Sequence, residues 1–188
     1  MRTFIALEIP LPTRNAIGAL METLRPKTAG LRYLAPETVH VTLRFLGEAS
    51  EEQIACLSPK LAAAAAACPA ADVRLAGVGT FPDHGPPRVL WLGLELPAAM
   101  LALQRECERA AVACGFAPEP RPFRSHLTLG RWRDRARRPD LPPVDLGIVR
   151  LDTLVLYRSQ LTPKGAIHTR GQVWRLLSTA PVDSKQQT

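Results

Sequence analysis

The chain has 188 residues, 46% hydrophobic and 22% charged, which excludes wholesale disorder and fits one compact domain or two tightly joined lobes. Lys and Arg outnumber Asp and Glu by 24 to 17, for a net charge of +7, and 20 of those cations are Arg. Arg forks onto phosphate and stacks on bases, so a phosphate-bearing or nucleic-acid partner is expected.

In chain order, the opening TFIALEI (residues 3–9) alternates as a strand does, and MRTFIALEIP reads as a strand rather than a signal peptide. A helical stretch follows from Pro12 to Arg25, with Ile17, Leu20, Met21 and Leu24 at helical spacing. LRYL (31–34) and TVHVTLRFLGE (38–48) are extended, and Ser50 with Gln53 forms a capping box opening a helix over 51–67. VRLAGVGTF (73–81) and VLWLGLEL (89–96) are strands joined by a Pro/Gly loop. A second clear helix covers about 98–114, with Gly115 suited to its C′ position. SHLTLGRW (125–132), the run from Val144 to Tyr157 and VWRLLST (173–179) are extended, and 181–188 is a frayed tail. No apolar run reaches the ~18 residues of a membrane helix, so no membrane partner is expected.

Cys56, Cys68, Cys107 and Cys114 form no CxxC and lie near no histidine at metal-ligand spacing. Cys107 and Cys114 fall in phase with Met100 and Leu103, so all four are expected as buried thiols, in a protein of the cytoplasm.

A duplication runs through this order. LEIP at 7–10 returns as LELP at 94–97, HVTL at 40–43 as HLTL at 126–129, and VRL at 73–75 as VRL at 149–151. A repeated strand–helix–strand unit, two lobes across a pseudo-twofold axis, accounts for all three and would set one His-x-Thr from each lobe in a shared cleft.

Along a strand, residues i and i+2 share a face. His40, Thr42 and Arg44 therefore face one way and Val41, Leu43 and Phe45 the other; likewise His126 and Thr128 oppose Leu127 and Leu129. Two imidazoles across a cleft can divide proton transfer, and Thr hydroxyls can donate to the non-bridging oxygens of a phosphate. No carboxylate or third histidine stands at ligand spacing in either tetrad, so no metal is expected. Ser125 has no elbow glycines and is not a nucleophile candidate.

Paired H-x-T-x tetrads about 86 residues apart resemble the 2H phosphoesterase superfamily. The fuller pattern, RTFIALEIP, HVTLRFLGE, VGTFP…PRVLWLGLE, HLTLGR and LYRSQLTPKGAIH, is similar to the RNA 2′,3′-cyclic phosphodiesterases, also called 2′-5′ RNA ligases. The resemblance implies an α+β, bilobal, pseudo-twofold duplicated fold. In it two antiparallel sheets line a central cleft with helices outside, within one domain spanning residues 1–180. It implies metal-free catalysis without a cofactor, with His40 as proton donor to the leaving ribose oxygen and His126 as proton acceptor from water. Where the family often carries tyrosine, this chain has His168.

Seven arginines crowd residues 121–138 against the single acid Asp134, forming either a solvated loop or a basic rim for RNA backbone. Arg131 lies opposite His126 by strict alternation, yet Gly130 could permit a bulge that turns it to the cleft; with Arg44 it is a candidate substrate contact. Phe4, Tyr33, Phe81 and Trp132 could stack on bases or fill the core; Phe4 and Phe81 are the candidate substrate contacts among them. His84, in a Pro/Gly loop, is a bystander. The expected protein is a monomeric hydrolase acting on RNA 2′,3′-cyclic phosphate ends or nucleotides, able in reverse to ligate RNA ends. A phosphoesterase for another small cyclic phosphate, or a non-catalytic RNA-binding module, are the alternatives.

Overall fold

In the computed structural model, which describes residues 2–162 and 165–178, the described residues form three α-helices and nine strands. The strands are β1 (Arg2–Glu8), β2 (Leu31–Tyr33), β3 (His40–Glu48), β4 (Ala71–Phe81), β5 (Val89–Leu94), β6 (His126–Trp132), β7 (Asp145–Leu151), β8 (Thr153–Thr162) and β9 (Gly165–Arg175). The helices are α1 (Leu11–Leu24), α2 (Glu51–Ala67) and α3 (Ala98–Ala113). Among the described residues no helix is long and apolar enough to cross a membrane.

Local chemistry sets the helix ends. At α2, Ser50 Oγ accepts from the Gln53 backbone while the Gln53 side chain accepts from the Ser50 N–H, the expected capping box, with Glu51 and Glu52 on the positive end of the dipole. Helix α3 stops at Gly115, which turns left-handed (φ +83°); Gly115 N–H donates to Val112 O and Phe116 N–H to Ala111 O.

All strand pairs within the sheet are antiparallel, in the order β7-β4-β5-β6-β3-β1-β8-β9, with β2 also on β6. Two four-stranded halves thus meet at the β3–β6 seam, where Val41 pairs Leu127. The two expected sheets are joined there into one. The halves exchange strands: β4 leaves the first unit to pair β5, and β8 leaves the second to pair β1. All three helices contribute to one core on one sheet face. Ile17 and Leu24, Leu57 and Leu61, and Met100 and Leu103 are buried there with Ile5, Leu7, Leu90 and Leu92. A small cluster of Phe4, Ala6, Val155 and Tyr157 lies on the opposite face.

Four expectations change. The VRL copies are not equivalent positions: Val73 pairs Val149 directly, side by side in β4 and β7. The single run 144–157 breaks at Asp152 into β7 and β8. The last strand is β9, and 173–179 covers only its end; Leu177 makes an isolated bridge to Pro69. Residues 181–188 lie outside the described residues. Finally, Cys56 and Cys114 form a disulfide between α2 and the end of α3, with Cα atoms 5.8 Å apart, while Cys68 and Cys107 are buried free thiols. Helical phase shows which residues face inward, but not which side chain of a neighbouring helix they meet.

Candidate active site

The two tetrads open β3 and β6, and the seam pair Val41–Leu127 sets them side by side. Val41, Leu43, Leu127 and Leu129 are buried in the main core. His40, Thr42, His126 and Thr128 are half-buried on the other face. Because the strands run antiparallel through that pair, each histidine falls toward the other strand's threonine.

Both imidazoles are anchored alike. His40 Nδ1 lies 2.6 Å from Thr38 O, and His126 Nδ1 lies 2.7 Å from Arg124 O. A carbonyl only accepts, so Nδ1 carries the hydrogen and donates in each case. The neutral ring then has its lone pair at Nε2. Phe4 stacks on His40 at 4.6 Å, and Phe81 meets His126 edge-on at 5.0 Å. Burial pushes the His40 pKa down to about 4; the Thr38 carbonyl opposes this, and the charges of His168, Arg14 and His126 add to it. Burial also lowers His126; the Arg124 carbonyl opposes the shift, and the charges of Arg131 and Arg124 reinforce it. Both rings are therefore neutral near pH 7 when no anion is bound.

Past the tetrads the two strands break phase at the same point. Ala6 pairs Thr42 but Ile5 pairs Arg44, skipping Leu43; Trp91 pairs Thr128 but Leu90 pairs Gly130, skipping Leu129. Each extra residue is a β-bulge that reverses the alternation beyond it. Arg44 and Gly130 consequently turn inward and are buried, while Phe45 and Arg131 are exposed. This corrects the in-phase reading of β3. Arg44, 7% exposed, does not join the histidines: its Nε pairs with Glu108 of α3, and its guanidinium donates to Phe45 O (2.6 Å) and Ala117 O. Phe45, expected in the core, is 52% exposed with its ring 5.9 Å from Phe4. Arg131 lies within electrostatic reach of His126.

Of the two candidate phenylalanines, Phe4 is buried beneath His40 and stacked on Tyr157 at 5.1 Å. Phe81 is partly open and carries Arg124 over its ring at 4.4 Å. Tyr33 and Trp132 pack against the core, and His84 is exposed in its loop. Sequence reasoning assigned no role to His168. Strand β9 brings its ring within 5.5 Å of His40 and 5.0 Å of Phe4, edge-on to both. Its only signal was the histidine standing where tyrosine was expected. Among the described residues, no three His, Cys, Asp or Glu side chains converge as a metal site.

Arg138 is fastened to Thr80 Oγ1, Pro82 O (2.8 Å) and Gly85 O (3.1 Å), and Arg121 and Arg124 pair with Glu119 and Asp83. Arg133, Arg135 and Arg137 are exposed and have no carboxylate partner among the described residues. The site thus combines two neutral, backbone-anchored imidazoles, two hydroxyls and a one-sided cationic margin. That set can hold a phosphate and move protons on either side of it.

A sequence profile of the LigT-like phosphoesterases matches the chain twice, over residues 7–91 and 94–168. The RNA 2′,3′-cyclic phosphodiesterase of Methanothermobacter thermautotrophicus is 31% identical over 183 residues, covering 94% of this chain and 99% of its own. The enzyme of that name from Thermus thermophilus is 35% identical over 180 residues, covering 90% and 87%. Among solved structures, a Thermus thermophilus protein superposes with a TM-score of 0.83 at 30% identity, covering 96% of this chain and all of its own. E. coli LigT complexed with 3′-AMP superposes with a TM-score of 0.82 at 28% identity, covering 93% and 97%.

Proposed function

This chain belongs to the LigT-like phosphoesterase family, and on that premise we propose that it hydrolyses RNA 2′,3′-cyclic phosphate ends to 2′-phosphates by paired-histidine acid–base catalysis. The observation that carries this reading is the matched anchoring of His40 and His126, which presents one Nε2 from each of two adjacent strands. His126 Nε2 takes a proton from the attacking water. His40, protonated in the complex, gives one to the 3′ oxygen as the P–O3′ bond breaks, and the phosphate stays on O2′. Thr42 and Thr128 donate to the non-bridging oxygens. Arg131 balances their charge, and Phe81 with Arg124 borders the nucleoside. Phe4 supports His40 from below. Arg44 has no part in substrate binding, because its guanidinium is spent on Glu108 and the 117–119 loop. With a ribose 5′-hydroxyl replacing water as the nucleophile, the same groups would open the cyclic phosphate in the same sense, breaking P–O3′ and forming a 2′-5′ link.

The test is incubation with an oligonucleotide ending in a 2′,3′-cyclic phosphate, in the presence of EDTA, followed by 31P NMR of the product. A 2′-phosphate formed without metal is the expected result. A 3′-phosphate, or activity that needs an added divalent ion, refutes this mechanism. Tight binding without turnover selects the RNA-binding module instead.

A further inference from the structure

The third imidazole of the site differs from the other two in how it is held. Strand β9 lies beyond β8, with His168 opposite Ser159, yet the ring reaches back to Phe4 and His40. Its Nδ1 is buried and has no hydrogen-bond partner among the described residues. A buried N–H without an acceptor is rarer and costlier than a bare lone pair, so the proton belongs on Nε2. This is the reverse of His40 and His126, whose Nδ1–H groups are held by carbonyls.

The surroundings keep His168 neutral. Among the described residues, the titratable groups at this corner are His40 on β3 and Tyr157 on β8, whose rings meet His168, and Glu8 on β1, Arg14 on α1 and Arg170 on β9, joined to them through the Tyr157 hydroxyl. The carboxylate among them, Glu8, is already engaged by Arg14 (3.3 Å), Arg170 (3.2 Å) and the Tyr157 hydroxyl (3.3 Å). Burial also lowers the His168 pKa. With its lone pair buried, a neutral ring of this tautomer cannot accept a proton from solvent-side water; it can only donate a hydrogen bond.

We propose that His168 is a substrate-binding residue, a neutral imidazole that donates from Nε2 to an oxygen of the ribose phosphate on the His40 side of the site. The assignment rests on the cyclic phosphodiesterase reading for the identity of that oxygen, and on the tautomer for the donor.

Two measurements test it on the full chain. Imidazole 15N NMR at pH 7 should find hydrogen on Nε2 of His168 and on Nδ1 of His40 and His126; an Nδ1–H or cationic His168 overturns the proposal. In steady state with a 2′,3′-cyclic mononucleotide, His168→Ala should raise KM about three- to tenfold, the worth of one neutral hydrogen bond, with kcat within about twofold. His168→Gln, which restores an N–H donor, should recover most of the loss with the pH limbs unmoved. A fall in kcat that Gln does not rescue and that removes a pH limb makes His168 an acid or base. A lower Tm with unchanged KM makes it packing alone; both overturn the proposal. If the wild-type chain turns over no cyclic phosphate, the phosphodiesterase reading fails separately. The donor role is then judged by whether His168→Ala weakens binding of a nucleoside 2′-monophosphate, and equal affinity rejects it.

Discussion

A histidine whose Nδ1–H is tied to a backbone carbonyl is fixed in tautomer and direction, so its Nε2 is ready to take or give a proton. Replacing His40 or His126 by Ala should lower kcat by about 10²–10⁴-fold, with oligonucleotide affinity changed little, because the Thr hydroxyls and the cationic margin remain. Retention of full activity in both variants would make the rings structural. Burial keeps both rings neutral in the free protein, and a phosphate anion between them supplies the negative charge that favours protonation. The bell of kcat against pH should therefore sit at higher pH than that of kcat/KM, since the first reports the complex and the second the free protein. Coincident bells would mean that the bound anion does not touch the imidazoles. The same burial has a stability signature. His40 titrates near 6.5 unfolded and near 4 folded, so the unfolded chain binds the extra proton between those values. Its contribution is complete above pH 6.5 and lost as pH falls toward 4, on the order of 3 kcal/mol at about 1.4 kcal/mol per pKa unit. Thermal unfolding across that window should flatten in His40→Gln; an unchanged slope would place the titration elsewhere.

Among the elements, the two bulges decide which side chains accompany the histidines. The sequence made the parity of HVTL and HLTL legible because both strands bury one face, and period-two alternation is then unambiguous. It left the phase beyond Leu43 unreadable, since a bulge depends on how β1 pairs with β3, a contact between distant segments. Gly130 hinted at the equivalent break in β6, and its own packing is close: a Cβ there would meet Arg32 O at 2.8 Å. The first part of β9 escaped for a different reason: from Ile167 to Gln172 no side chain is fully buried, so no apolar stripe announced it. The inward turn of Arg44 gives a discriminating experiment. Arg44→Met removes the partner of Glu108 and the donors to Phe45 O and Ala117 O, and should destabilise by about 1–3 kcal/mol. KM should stay near the wild-type value once folding is complete. Unchanged Tm with a raised KM would return Arg44 to the substrate.

At the scale of the whole molecule, the duplication places both His-x-Thr pairs at the seam, and departures from symmetry decide what surrounds them. The 87-residue spacing of LEIP and LELP is also the spacing between the starts of the two profile matches, at 7 and 94. The repeat was therefore readable where it builds the seam, and misleading at VRL, whose copies became neighbours through the strand exchange. The first lobe closes its histidine with Phe4, Tyr157 and His168, an aromatic and largely buried wall. The second borders its histidine with Phe81, Arg124 and Arg131, then a loop of exposed arginines. RNA backbone is drawn to cations, so the chain leading to the cyclic end should approach over the second lobe. Arg135→Gln with Arg137→Gln tests this without touching the histidine face. Each phosphate contact on single-stranded nucleic acid contributes about 0.7 to the slope of log K against log salt. The double variant should therefore bind an oligonucleotide more weakly at low salt, with its slope shallower by about 1.4. Turnover of a 2′,3′-cyclic mononucleotide, which has no upstream phosphates, should be unchanged. An unaltered slope would show that these arginines are a solvated loop and that the RNA approaches from the other lobe.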